Sequence, residues 1–347
     1  MPPTVLHVDP VHPDPAVIGL AAERLSRGEL VAFPTETVYG LGASALNADA
    51  VARIFAAKGR PAWNPVIAHV PDAESARQLT ASWPETAQRL AAAFWPGPLT
   101  LVLPKREHVP DVVTAGLDAV GVRVPAHPVA LALLRALGAP IAAPSANRFT
   151  HISPTTAAHV VASLGERAGC ILDAGACMVG IESTVLDLCG ASPTVLRPGM
   201  ISRAQIAEVL QEEVHAATGQ VAAHGVGIPS QRSPGMSDRH YAPRAATWLF
   251  DPEQVHELVA ALNSDRERFG SRSVVALLIQ PSLRDALPLQ PGDRVERMPD
   301  SPAGYARALY AALHAADAEG AALVLIEAPP GTNEWGAVRD RLTRAAR

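Results

Sequence analysis

Apolar positions recur at helical spacing from Pro15 to Arg27, where Val17, Leu20, Ala21 and Leu25 fall near one face and Gly28 stops the run. Leu30 to Phe33 then reads as a short buried strand running into Pro34. The spacing predicts a helix over Ala48 to Lys58 and extended chain over Val66 to Val70. Further strands are expected at Leu99 to Leu103, Val120 to Val124, Ile141 to Ala143, Cys170 to Asp173, Thr184 to Leu188 and Thr194 to Leu196. Between them, His127 to Leu137, Thr155 to Leu164 and Ser202 to Glu212 suit helices. This alternation predicts an α/β domain with a twisted sheet. The close spacing of its last strands makes part of that sheet antiparallel, and the sheet mixed and open.

From about Val214 to Arg244 the pattern breaks down. Gly219, Gly225, Gly227, Pro229, Ser230, Ser233, Pro234 and Gly235 mark a linker, which carries the dense cluster Ser237-Asp238-Arg239-His240-Tyr241. A second α/β pattern follows: strand Thr247 to Phe250, helix Pro252 to Arg268 and strand Ser273 to Ile279. After a proline-broken loop come helix Pro302 to Glu319, strand Ala322 to Glu327 and a basic terminal helix with Arg339, Arg341, Arg344 and Arg347. The expected division is a domain over 1–213, a linker or lid over 214–245, and a small three-layer, Rossmann-like α/β domain over 246–347. The basic terminal helix could be a solvated face, the default for a charged amphipathic helix, a docking surface for domain closure or a contact surface for partner macromolecules, and the sequence does not decide among them.

Composition sharpens this picture in a few places. With 48% apolar and 18% charged residues in 347, the chain has material for a core, and disorder is excluded. A formal net charge of −5 argues against coating nucleic acid by bulk charge, and leaves room for a local basic pocket. No run of 18 apolar residues exists, so no membrane span is expected, and the first residues lack the pattern of a secretory signal. Cys170, Cys177 and Cys189 have neither metal-site nor disulfide-framework spacing, so no disulfide partner and a cytoplasmic location are expected.

Several familiar catalytic motifs are missing: GxxxxGK[ST], HExxH, GxSxG and a complete GxGxxG. What stands out is short polar residues at strand ends between prolines and glycines. Pro34-Thr35-Glu36-Thr37-Val38-Tyr39-Gly40-Leu41-Gly42 follows a buried strand, where open sheets place ligands; the plainer alternative is a turn with a helix cap. Lys58-Gly59-Arg60-Pro61 ends a helix. Two cations there converge only if Gly59 breaks the helix, and they would suit a polyphosphate or simply complement the helix dipole. Arg123 sits in an otherwise apolar strand and requires a carboxylate, either an internal Asp or Glu or one on a substrate. Ser145 and Asn147 after Ile141-Ala142-Ala143 suit a phosphate or purine edge, or an Asx or ST turn. Glu182-Ser183-Thr184 and Leu196-Arg197-Pro198-Gly199 repeat the theme. His69 in Val66 to Val70 is more often a satisfied core histidine than a catalytic one.

Taken in order, PTETVYGLG, KGRPAWNP, WPGPLT, VGVRVP, APSAN, ESTV and LRPG resemble the YrdC-like family. With SPGMSDRHYAP as a linker signature and the terminal pattern around Tyr305, Leu309 and Tyr310, residues 15 to 346 resemble the two-domain threonylcarbamoyl-AMP synthases. The resemblance implies a nucleotidyltransferase that condenses L-threonine, bicarbonate and ATP, with Mg²⁺, into threonylcarbamoyl-adenylate and pyrophosphate. Separate tRNA threonylcarbamoyl-transferase proteins would then use the product for t6A at position 37 of tRNAs reading ANN codons. It implies Lys58 and Arg60 as catalytic residues that form, with Ser145 and Asn147, a KxR…SxN nucleotide site. Arg60, Asn64, Ser145, Ser153 and Arg197 would contact ATP, and Tyr241 would close over the nucleotide. Thr37, His69, Arg123, the backbone at Ala143, and Ser183 would hold threonine, with Thr35 as a second candidate in its motif. On this view Lys58, Arg60, Arg123 and Arg197 supply the four cations needed to bring a carbamate and a nucleotide triphosphate together.

Two other readings remain at this point. A cationic α/β surface could bind RNA without chemistry, although no aromatic stacking platform accompanies these cations. Alternatively, the same adenylate chemistry could serve another carbamoylation pathway, for which acylphosphatase-like or zinc-ribbon segments would be expected; the chain has neither.

Overall fold

A computed structural model describes residues 2–217, 240–269 and 272–346. The chain divides into two compact units, Met1–Phe149 with Ser153–Met236 and Thr150–Ile152 with Ser237–Arg347. Of the stretch read as a linker, residues 218–239, among them Ser237, Asp238 and Arg239, lie outside the described residues.

The strands of the first unit are β1 (Thr4–His7), β2 (Val31–Phe33), β3 (Gly40–Ser44), β4 (Ala68–His69), β5 (Leu99–Pro104), β6 (Ala119–Arg123), β7 (Ile141–Ala142), β8 (Cys170–Asp173), β9 (Thr184–Asp187), β10 (Thr194–Arg197) and β11 (His215–Ala216). Among the described residues they form one mixed sheet in the order β1-β8-β2-β3-β7-β4-β6-β5-β9-β10-β11. The expected antiparallel part includes β9 with β10, and also β2 with β3 and β5 with β6. Helices cover both faces. On one side helix Pro15–Ser26 packs on helix Pro128–Leu137, joining Ile18, Leu25, Phe33, Leu133 and Leu172 in one core. On the other, Ile54 of helix Ala48–Lys58 and Leu90 of helix Glu85–Phe94 share a core with Leu101 and Val122.

Local chemistry accounts for the boundaries. Asp14 accepts the N–H of Ala16 and Asn47 that of Ala50, each capping its helix, while Gly28 and Gly59 take positive φ where the helices stop. Two elements escape the apolar pattern. β1 is an exposed edge strand, so burial imposes no alternation on it. β3 reads as a glycine-rich turn but forms a strand in the middle of the sheet. A Cβ at Gly42 would stand 2.8 Å from both the Ile141 side chain and the Phe33 ring, so glycine is what lets β3 lie there.

The second unit contains β12 (Ala246–Phe250), β13 (Val274–Leu278), β14 (Arg294–Arg297) and β15 (Leu323–Glu327), all parallel in the order β12-β15-β13-β14. β14 lies in the segment expected to be a loop; its sequence Arg-Val-Glu-Arg forms a part-exposed edge strand with no apolar run to announce it. The terminal helix, Gly336–Ala345, departs from the default of a solvated basic face. Arg341 is fully buried, 2.7 Å from Asp340 and with its guanidinium 5.1 Å from the Tyr241 ring centre, while Arg344 pairs with Asp340 one turn away. Among the described residues no helix is long and apolar enough to cross a membrane.

Candidate active site

The polar strand ends of the first unit are joined by the sheet register. In the loop between β2 and β3, the Thr35 hydroxyl donates to the carbonyl of Val38 at 2.6 Å, accepts the N–H groups of Thr37 and Val38, and lies 2.7 Å from the Thr37 hydroxyl. Thr35 therefore builds the turn, and Thr37 is the threonine whose hydroxyl meets Arg123, at 3.0 Å. The turn leads into a strand, not the helix cap that was the alternative.

Arg123, at the end of β6, is 3% exposed and stands opposite His69 of the parallel neighbour β4. Its Nε donates to the carbonyl of Gly97, and its Nη2 lies 2.7 Å from the Glu36 carboxylate. Glu36 is thus the internal carboxylate that a buried arginine requires, and its other oxygen accepts the N–H of Ala126. Nη1 makes no hydrogen bond to the described chain, which leaves one prong of the fork for a ligand.

His69 packs edge-on to Phe33. Burial, reinforced by the positive charge of Arg123, pushes its imidazole down to about 3, so it is neutral at physiological pH. Its Nδ1 is buried with no protein partner among the described residues, as is Nδ2 of Asn64. Such atoms are costly unless a ligand group meets them, by about 1–3 kcal/mol each. His69 also pairs across with Ile141 of β7, whose chain continues through Ala143 to Ser145. Ala143 donates its N–H to the carbonyl of Ile67.

Ser145 bridges to Gly40, and its carbonyl, with that of Asn147, accepts from the Lys58 amine at 2.6 and 2.5 Å. Lys58 therefore fastens the Ser-Ala-Asn segment to the end of its helix. Burial, and then the charge of Arg60, hold its amine well below the usual lysine range. Gly59 at φ +63° turns the chain so that Arg60 faces back, donating to the Asn64 carbonyl and side chain and to the Pro65 carbonyl.

A third strand end completes the arrangement. Gly180 donates to the Thr37 carbonyl, and the chain runs on through Glu182, which accepts from Ser153 at 2.5 Å, to Ser183. The Ser183 hydroxyl lies 2.8 Å from that of Thr100 and accepts from Arg197 Nη2, while its carbonyl accepts from Arg197 Nε and Nη2. A Cβ on Gly199 would collide with the backbone N of Thr184, so this glycine lets the LRPG turn close on Ser183.

The first unit thus brings Thr35, Thr37, Lys58, Arg60, Asn64, His69, Arg123, Ala143, Ser145, Asn147, Ser153, Ser183 and Arg197 onto strand ends, one helix end and the loops that leave them. Tyr241 is in the second unit, at φ +61°, with its ring 5.8 Å from that of Tyr310. Three residues of the network carry no role in the sequence reading: Glu36, Thr100 and Glu182. Glu36 had a signal, as the one charge in PTETVYGLG, an otherwise uncharged segment.

Residues 23–199 match the family described as Telomere recombination (Sua5, YciO and YrdC), and residues 201–347 match the Threonylcarbamoyl-AMP synthase C-terminal domain. A Pyrococcus abyssi threonylcarbamoyl-AMP synthase is 42% identical, covering 95% of this chain and 94% of its own length. The chain belongs to the threonylcarbamoyl-AMP synthase family. Enzymes of that name from Bacillus subtilis, 41% identical over 95% of this chain and 92% of theirs, and Schizosaccharomyces pombe, 35% identical over 91% and 84%, are also similar over most of their length. A structure of Pyrococcus abyssi Sua5 complexed with L-threonine covers 99% of this chain and 97% of that one, at 40% identity and a TM-score of 0.87. The family resemblance read from the motifs is therefore correct, and so is the mixed α/β architecture.

Proposed function

We propose that the protein condenses L-threonine, bicarbonate and ATP into threonylcarbamoyl-adenylate and pyrophosphate. The observation that carries this reading is the split of the site into two differently equipped ends, within a family whose named members are threonylcarbamoyl-AMP synthases. One end has Arg123, Thr37, neutral His69 and Ser183. The other has Arg60, Asn64, Ser145 and Asn147 held in place by Lys58.

At the first end, Arg123 Nη1 would take the threonine carboxylate, while His69 and Thr37 offer neutral hydrogen-bonding groups to the amine and side-chain hydroxyl. A site built to bond a hydroxyl rejects an analogue lacking it strongly, whereas serine, smaller by one methyl, is rejected only by the contacts that methyl makes, about 1–3 kcal/mol. The threonine nitrogen forms a C–N bond either to the carbon of bicarbonate, whose C–O bond breaks as water leaves with the amine proton, or to carbon dioxide with release of that proton; both routes give a carbamate. A carbamate oxygen then attacks the α-phosphorus, and the bond to the β-phosphate oxygen breaks to release pyrophosphate. Positioning and charge neutralisation suffice, with no covalent enzyme intermediate.

The charge inventory is smaller than four free cations. Glu36 neutralises Arg123, and burial, with the charge of Arg60, disfavours the protonated form of the Lys58 amine. Arg60 and Arg197 therefore bear most of the task of meeting phosphate charge, with Mg²⁺ entering on the nucleotide. Among the described residues no three His, Cys, Asp or Glu side chains are grouped to hold a metal, so phosphate oxygens and water would be its ligands. The adenylate would pass to separate transferase proteins for t6A at position 37 of ANN-reading tRNAs.

The test is pyrophosphate release from Mg-ATP by the purified protein, with threonine and bicarbonate each omitted in turn. Release that needs both, with serine and valine poor substitutes, is the expected result. Threonine-independent release, or none from folded protein, would overturn the reading and favour RNA binding.

A further inference from the structure

The second unit has a crevice of its own. β12, β13 and β15 are parallel, so their carboxyl ends lie together, and the connections that leave them diverge. Right-handed crossovers carry helix Val255–Phe269 and helix Pro302–Ala318 to opposite faces, because the chain moves across the sheet in opposite directions between β12 and β13 and between β14 and β15. Leu283–Ala286, after β13, packs with the first of these helices; Gly336–Ala345, after β15, packs with the second. β15 therefore stands between two strands whose exits turn the other way. This is a topological switch point, where open α/β sheets hold ligands. A cavity of about 690 Å³ lies there, lined by residues following β12, β13 and β15.

On topology alone a nucleotide would be the guess. The lining chemistry points elsewhere. Asp251, Glu253, Asp300 and Glu327 contribute four carboxylates against one cation, Arg339, which already donates to the Pro329 carbonyl. No glycine-rich phosphate loop follows β12, whose next residues are Asp251-Pro252-Glu253. Such a lining repels phosphate.

Glu327, the last residue of β15, is 1% exposed and lines the cavity. Its Oε2 accepts two backbone N–H groups, from Ile279 at 2.6 Å and Gln280 at 2.9 Å, which fixes the carboxylate in place. Its Oε1 makes no hydrogen bond to the described chain. An acceptor that opens to the crevice from an otherwise buried carboxylate, held rigidly at the base of an acidic lining, is matched by a charged donor. We propose that this crevice binds a small organic cation through a protonated primary amine directed at Glu327, with Asp251, Glu253 and Asp300 at its mouth. The site is independent of the reaction assigned to the first unit.

Isothermal titration of the full chain with 1,4-diaminobutane, its neutral isostere 1,4-butanediol, and ribose 5-phosphate tests this. The expected result is saturable one-to-one binding of the diamine alone. Glu327→Gln, which keeps an oxygen for the Ile279 and Gln280 N–H groups, should weaken it roughly tenfold or more, and so should Asp300→Asn at an exposed position that the fold does not need. Two results would overturn the proposal: diamine binding that is absent or equal in wild type and both variants, or ribose 5-phosphate binding that Arg339→Ala abolishes. Unchanged thermal melting of Asp300→Asn keeps the test valid if Glu327→Gln is poorly folded.

Discussion

Replacing Glu36 with glutamine tests how the charge in the candidate site is balanced. Glu36 is 8% exposed and Arg123 3%, and their charged atoms lie 2.7 Å apart. Removing one member of a buried pair leaves the other desolvated and uncompensated, at a cost of about 3–5 kcal/mol. Glutamine keeps an oxygen for the Ala126 N–H, so the lower end applies, about 3 kcal/mol. For a unit of this size that lowers Tm by about 6–12 °C. In the proposed function the threonine carboxylate approaches the same guanidinium, so in the variant it supplies the missing negative charge. Scanning calorimetry with and without L-threonine should then show a larger threonine-induced rise in Tm for the variant than for wild type. A variant that melts with wild type, or one stabilised by threonine no more than wild type, would refute the reasoning: the first the buried-pair account, the second the place of the carboxylate.

The neutral, buried His69 makes stability depend on pH. Its folded value near 3 lies below the unfolded value near 6.5, so below 6.5 the unfolded chain binds a proton that the fold refuses. Its contribution should be complete above pH 6.5 and fall by up to about 1.4 kcal/mol per pH unit towards 3, and denaturant melts of His69→Gln should show a flatter profile. Lys58→Met should both destabilise, by about 2–4 kcal/mol, and abolish pyrophosphate release, because two buried carbonyls lose their donor. Ser145→Ala should leave urea melts within about 0.5 kcal/mol of wild type while raising KM for ATP, since the fold uses only the Ser145 backbone. Gly199→Ala drives a methyl into the backbone of Thr184 and should shift Ser183, raising KM for threonine more than KM for ATP.

Elements with a strong period or a punctuating residue were legible in the chain. Pro15–Ser26, Ala48–Lys58 and Pro128–Leu137 carry an apolar stripe and end at Gly28, Gly59 and Gly138, because a residue with no Cβ accepts the left-handed conformation that stops a helix. β5 and β15 are apolar on both faces and announce themselves as buried strands. The motif residues also announced themselves, as polar groups where only turns or ligands would want them.

Pairing is what the linear chain does not hold. Nothing in KGRP says that the Lys58 amine spans to the carbonyls of Ser145 and Asn147, 87 and 89 residues away. Nor does VGVRVP say that the partner of Arg123 is Glu36, rather than any other carboxylate. Arg341 reads as one more surface charge until the packing around Tyr241 buries it. Local sequence determines φ and ψ, capping and which face is apolar, because those depend on neighbours along the chain. Which cation remains to meet a substrate is decided only when distant strands align, since desolvation and ion pairing depend on what the fold brings within a few ångströms.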